Sequence, residues 1–251
     1  MRTSVAAFSA VAALVPSAAS AAVPQHYGND STTLPYRDTT LCIDDRVDDL
    51  MSRMTLEDKA GQMFHARTTL DDEELFTTVA EKGITHYVFS GGVNDARAVA
   101  EWYNNLQDFA RSTGLGIPIT ISSDPQHGWT DDAAVSNIAA AFSRWTEPMG
   151  IAALRDPKLM RQFAEIAREE YVSVGIRQAL SPQIDLATEA RWGRTGNTMG
   201  EDANLTVSLL VEYIKGFQGD EINSHSVITT SKHFPGGGPM EDGEDSHFFW
   251  G

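Results

Sequence analysis

Apolar positions along the chain follow two alternating rhythms. From Asp44 onward, Val47, Leu50, Met51 and Met54 share one face at the 3.6-residue period, which predicts a helix. Thr55 with Asp58 three residues later has the form of a capping box and opens a second short helix. An acidic helix is expected from about Asp71 to Lys82, closed by Gly83. Ile84 to Phe89 is rich in β-formers and reads as a strand. Val99, Trp102, Tyr103, Leu106 and Ala110 then form a helical stripe that stops at Gly114. Ile117 to Ser122 is the next strand, and Asp124 to Gly150 reads as a long loop with short helical pieces. Asp156-Pro157 caps a helix carrying Leu159, Phe163, Ile166, Ala167 and Val174, which ends at Gly175. A strand over about Ile176 to Ile184, a helix over about Asn204 to Phe217 and a strand from Val227 to Thr230 complete the series.

Strand and helix alternate, so the sheet is expected to be parallel and covered by helices. A doubly wound open sheet and a (β/α)₈ barrel both fit, with about five β/α units in the chain. Both place functional residues just past the C-terminal ends of strands. Three dense polar segments lie there: Ser122 to Trp129; Asp185 to Asp202, which contains Arg191-Trp192-Gly193-Arg194 and Gly200-Glu201-Asp202; and Ser231 to Gly238, followed by Asp242, Glu244, Asp245 and His247. Together they offer carboxylates, guanidinium, ammonium, imidazole and aromatic rings. That mixture suits a sugar, whose hydroxyls need donors and acceptors and whose apolar face needs a ring.

Plainer roles compete at each position. Asp124 before Pro125 could serve only as a turn residue. One of Arg191 and Arg194 is expected to pair with Glu189, Glu201 or Asp202 while the other faces ligand. His127 either touches ligand or anchors its loop. Trp129, Trp192 and Trp250 are compatible with ordinary packing, and Gly236 to Gly238 with a flexible loop. Lys232 at a strand end has no such easy explanation, because a buried ammonium needs a partner. No H-E-x-x-H, paired C-x-x-C or G-x-S-x-G occurs, and the histidine spacing matches no common metal site.

Charge and the N-terminus add context. With 19 basic against 35 acidic residues the net charge is −16, which disfavours nucleic acid and anionic membrane as partners. Arg2, the apolar run Val5 to Val15 and the small-residue site Ala19-Ser20-Ala21 follow the order of a secretory signal peptide, so residues 1–21 are expected to be removed and the rest secreted. Residues 22–43 read as an extended lead-in. Cys42 is the single cysteine and is worth flagging in a secreted chain. Asn29-Asp30-Ser31 and Asn204-Leu205-Thr206 are candidate glycosylation triplets.

The entry helix Met51 to Lys59, the segment around Asp124, Trp192-Gly193-Arg194 with Gly200-Glu201-Asp202, Gly216-Phe217-Gln218-Gly219 and Lys232-His233-Phe234-Pro235-Gly236 occur in an order that resembles glycoside hydrolase family 3, from about Arg46 to Gly251. The resemblance implies that residues 44–251 are an incomplete barrel domain of a β-glucosidase or exo-β-glucanase that uses no cofactor. It implies that Asp124, Arg194, Lys232 and His233 bind the terminal glucose of a β-glucoside or β-glucan, with His127 and His247 as weaker suggestions. The chain departs from the family at Asn197, where a glutamate is more usual.

Retaining hydrolysis needs two carboxyl groups about 5 Å apart. The resemblance places the nucleophile in a Ser-Asp-Trp-like motif and the acid/base glutamate in a second domain, and this sequence contains neither. The expectation is therefore a truncated chain, inactive alone and prone to fold poorly because an open barrel exposes edges and core. Two alternatives stand beside it. Asp245-Ser246-His247 resembles the segment whose histidine is acid/base in family 3 β-N-acetylhexosaminidases, and the chain could also be a secreted carbohydrate-binding remnant.

Overall fold

The computed structural model describes residues 34–125, 127–128 and 139–248. The segment 1–21, Asn29, Trp129 and Trp250 lie outside these residues. Five strands, β1 (His65–Thr68), β2 (His86–Phe89), β3 (Thr120–Ser123), β4 (Ile176–Ala179) and β5 (Ile228–Thr229), form one sheet. Seven helices surround it among the described residues: α1 (Ile43–Arg53), α2 (Leu56–Gly61), α3 (Leu75–Lys82), α4 (Ala96–Ser112), α5 (Pro148–Ala153), α6 (Pro157–Ser173) and α7 (Ala203–Gln218).

Every strand pair is parallel, and the strand order is β1-β2-β3-β4-β5. A doubly wound sheet reverses its order at a switch point. This sheet does not reverse; each strand is added beside the last, as in the wall of a (β/α)₈ barrel.

The two faces of the sheet differ. Tyr87, Phe89, Ile121, Ile176 and Ala179 are buried with the apolar side chains of α3, α4, α6 and α7. The opposite face is polar: His65 Nε2 lies 2.8 Å from Ser122 Oγ, and Gln178 Nε2 donates to Thr230 Oγ1 at 3.0 Å. His86 sits beside His65, and burial together with that neighbour pushes its imidazole below the ordinary range.

Most helix boundaries follow the local chemistry. Thr55 and Asp58 make the reciprocal capping box, and Asp95, Asp156 and Asp202 accept first-turn N–H groups of α4, α6 and α7. Two boundaries differ from expectation, and two features lay outside it. β1 was not anticipated, because His-Ala-Arg-Thr lacks the β-branched and aromatic enrichment of a strand. α3 begins at Leu75, not near Asp71; Thr69, Asp71 and Asp72 are tied up in local turn hydrogen bonds. Regular β4 ends at Ala179 rather than near Ile184; past it the pairing continues only as an isolated bridge between Gln183 and Lys232. The apolar stripe of α1 is only partly covered, since Met54 is buried while Val47 and Met51 are exposed. Within the lead-in, Pro35–Arg37 forms a 3₁₀ turn, and the buried Tyr36 donates its hydroxyl to the Leu115 carbonyl.

Helices α6 and α7 approach tightly at Gly216, where a Cβ would stand 2.3 Å from Ala164 Cβ. Gly216→Ala is therefore expected to destabilise the chain by about 1–3 kcal/mol through overpacking, measured as a lowered denaturant midpoint. A midpoint at or above that of the wild type would show that this approach is not tight.

Candidate functional site

The sequence past β3, β4 and β5 brings the polar segments together. Asp124 directly follows β3, and its main-chain carbonyl accepts the Tyr171 hydroxyl at 3.0 Å. Beyond β4 and β5 the backbones stay paired. Lys232 N–H donates to the Pro182 carbonyl at 2.9 Å, and Ile184 N–H donates to the Lys232 carbonyl at 2.7 Å. This pairing aims Lys232 across the sheet top, where Nζ donates to Asp124 Oδ1 at 2.7 Å. The partner that a partly buried ammonium requires is thus Asp124.

Asp185 ties the same region together from below. Its side chain has no solvent exposure. Oδ2 lies 2.7 Å from His233 Nδ1 and accepts Gln183 Nε2–H at 3.0 Å. Oδ1 accepts the backbone N–H groups of Gly237 at 2.7 Å and His233 at 3.2 Å. Burial alone would raise this carboxyl, but the His233 and Gly237 hydrogen bonds outweigh it and hold it below the usual carboxylate range. Gly237 can approach because it lacks a Cβ, which would meet the His233 side chain at 3.1 Å.

The two arginines separate as the sequence suggests. Arg191 is 62% exposed and pairs with Glu189 at 3.0 Å and Asp242 at 3.4 Å. Hydrogen bonds from Arg191 pull Glu189 down to about 2. Arg194 instead donates to Gln183 Oε1 at 3.0 Å.

His127 is only 3% exposed, lies 2.8 Å from Glu170 Oε2 and stacks on Phe142, with ring centroids 5.1 Å apart. This is the geometry of a loop anchor, although the ring also borders the cavity described below. His247 is exposed. Its Nδ1 lies 2.5 Å from Asp245 Oδ1, and its ring is edge-on to His233 at 6.4 Å. Asp245 also accepts the indole N–H of the buried Trp192 at 2.8 Å. Burial raises Asp245, but hydrogen bonds from His247 and Trp192 bring it down to about 2.

Asp124, Arg194, Lys232 and His233 all line one cavity of about 590 Å³, as do His127 and His247. A space of this size holds a small ligand. Arg67, Glu147 and Gln183 line it too and were not singled out from sequence; Asp185, behind the wall, was not either. Asn197 donates Nδ2–H to Glu147 Oε2 at 3.4 Å in this wall. Asn204 is exposed on the first turn of α7, whereas Thr206 of the same triplet is buried. Among the described residues, no three His, Cys, Asp or Glu side chains are gathered as metal ligands, and no helix is long and apolar enough to cross a membrane.

Residues 55–250 match the model of the glycosyl hydrolase family 3 N terminal domain. The chain belongs to that family. It is 51% identical over 244 residues to a probable beta-glucosidase C of Aspergillus oryzae, covering 91% of this chain and 38% of the relative. It is 52% identical over 224 residues to beta-glucosidase C of Emericella nidulans, covering 86% and 36%. The chain thus spans little more than a third of these relatives. Its fold is similar to that of an exo-1,3/1,4-beta-glucanase from a Pseudoalteromonas species, with a TM-score of 0.67 at 23% identity over 80% of this chain and 26% of that one. It is also similar to a family 3 beta-N-acetylglucosaminidase from a Paenibacillus species, with a TM-score of 0.65 at 24% identity over 77% and 35%. Membership in the family agrees with the barrel-wall strand order.

The lowered Asp245 carboxyl sets a pH dependence. A group whose folded pKa is depressed contributes stability above its unfolded value and loses it as pH falls through the folded value. Between pH about 4 and about 2, the wild type should therefore lose stability faster than Asp245→Asn, measured by denaturant titrations at each pH. Parallel pH profiles would contradict the Asp245 environment.

Proposed function

We propose that this family 3 chain holds the terminal β-D-glucosyl residue of a β-glucoside or β-glucan for hydrolysis by a retaining mechanism. The observation that carries this reading is the Lys232–Asp124 pair at 2.7 Å, with His233 and Arg194 around the same cavity. The glucosidase names of the relatives at half identity support the substrate class. In this arrangement Lys232 and Arg194 donate to sugar oxygens. Asp124, balanced by the ammonium, accepts from hydroxyls with the oxygen that Lys232 leaves free.

The nucleophile and the acid/base are, in this proposal, supplied by residues outside the present sequence, since the pair of carboxyl groups about 5 Å apart is needed for retention. The chain alone then positions sugar without cleaving it. We also place it in the secretory route, on the strength of residues 1–21.

One observation keeps a second reading in view. Asp245 and His247 form a 2.5 Å pair beside His233, an arrangement able to pass a proton and compatible with a β-N-acetylhexosaminidase. An enzyme containing this chain together with its catalytic residues is expected to prefer an aryl β-glucoside to an aryl N-acetylglucosaminide; the reverse preference would favour the second reading.

Calorimetric titration tests the sugar site itself. Wild-type chain should release heat with millimolar glucose or laminaribiose. Lys232→Ala and Arg194→Ala should weaken binding roughly ten- to a hundredfold, the equivalent of one charge-assisted hydrogen bond. Arg191→Ala should leave it unchanged, because Arg191 is engaged on the surface. No heat from the wild type at millimolar sugar would overturn the proposal. Normal turnover of an aryl β-glucoside by residues 1–251 would overturn the placement of the catalytic carboxylates.

A further inference from the structure

Asp185 does not line the cavity, yet two residues that do are held through it. Its Oδ2 faces His233 Nδ1 at 2.7 Å and Gln183 Nε2 at 3.0 Å, while its Oδ1 takes two backbone N–H groups at 2.7 and 3.2 Å. An ionised carboxylate accepts and never donates. The proton in the 2.7 Å contact therefore belongs to His233 Nδ1. A neutral His233 then carries no proton on Nε2, which becomes an acceptor.

Gln183 is fixed by the same logic. Its Nε2 must face the carboxylate, and its Oε1 must face the guanidinium of Arg194, which only donates, at 3.0 Å. Gln183 is buried, so a reversed amide would leave two donors facing each other away from water.

We propose that Asp185 is a positioning residue for the sugar site: it sets His233 as the Nδ1–H tautomer with Nε2 as acceptor, and through Gln183 it orients Arg194. The site then offers two cationic donors, Lys232 and Arg194, and two acceptors, Asp124 and His233. A ligand hydroxyl, which both donates and accepts, suits such a set. A purely accepting group such as phosphate would leave both acceptors unmatched.

This inference rests on the sugar-binding reading only in its last step, and the test separates the two. Long-range ¹⁵N NMR of imidazole-labelled chain at pH about 8, where an ordinary imidazole is neutral, reads the tautomer directly, with His233→Gln used to assign the signal. Wild type should show a protonated Nδ1 and a bare Nε2. Asp185→Asn offers an amide N–H in place of a carboxylate oxygen, so the pattern should invert, and glucose affinity should fall roughly tenfold. Gln183→Leu keeps Asp185 in place. It should retain the wild-type tautomer while glucose binding weakens roughly fivefold through Arg194. If Asp185→Asn does not fold, the wild-type tautomer and the Gln183→Leu pair of readings still decide. A wild-type His233 protonated on Nε2, or an unchanged tautomer in folded Asp185→Asn, would overturn the positioning role. Absence of glucose binding with the expected tautomer would overturn the sugar reading alone.

Discussion

A carboxylate with no solvent exposure must find all its partners inside the protein, and Asp185 does so by recruiting groups from both flanking loops. That requirement shapes the whole top of the sheet. The glycine loop after β5 has to bend so that the Gly237 N–H points inward. His233 must present Nδ1, and Gln183 must turn its amide nitrogen the same way. The Lys232–Asp124 pair adds a second tie, joining residues 108 positions apart. Between them, the two carboxylates link the loops after β3, β4 and β5 and hold four polar side chains around one cavity.

The framework was largely legible in the sequence because it rests on local chemistry. The caps read at Thr55 and Asp156 do start helices, as Asp95 and Asp202 also do, and the apolar stripes of α4, α6 and α7 cover the buried face of the sheet. The strand order then distinguishes a barrel wall from a doubly wound sheet, which alternation alone leaves open. Legibility fails where the sheet carries polar residues. β1 passes unnoticed because half of it faces the polar side, where His65 bonds Ser122 instead of packing in an apolar core.

The site was legible as a set of dense polar motifs, and those motifs do meet at one cavity. Sequence also anticipated that one arginine of the Arg191/Arg194 pair would be occupied by surface acids, and Arg191 is. The supporting residues were given no role, although Asp185 opens the second polar segment, because nothing local marks what they bind. Asp185 sits between Ile184 and Leu186, and Gln183 follows a proline; neither draws notice in isolation. The available signal was physical: an aspartate between apolar residues just past a strand is bound for burial, so it needs several donors. Whether His127 would be anchor or ligand depended on Glu170, 43 residues away, which no local pattern could connect to it.

The arrangement also explains how a chain with a strong acid excess can present cationic donors inside a cavity lined by both signs of charge. Most carboxylates lie on the surface, while Lys232 and Arg194 are held inward by Asp124 and Gln183. Asp124, Lys232, Arg194 and His233 are each already partnered on one side, so a ligand meets oriented donors and acceptors with little rearrangement. The most direct test of this account is a crystal structure of the chain with glucose bound. The account predicts sugar hydroxyls within hydrogen-bond distance of Asp124, Lys232, Arg194 and His233 Nε2, with the Lys232–Asp124 and His233–Asp185 contacts intact. Glucose bound elsewhere, or bound here only after those contacts break, would contradict it.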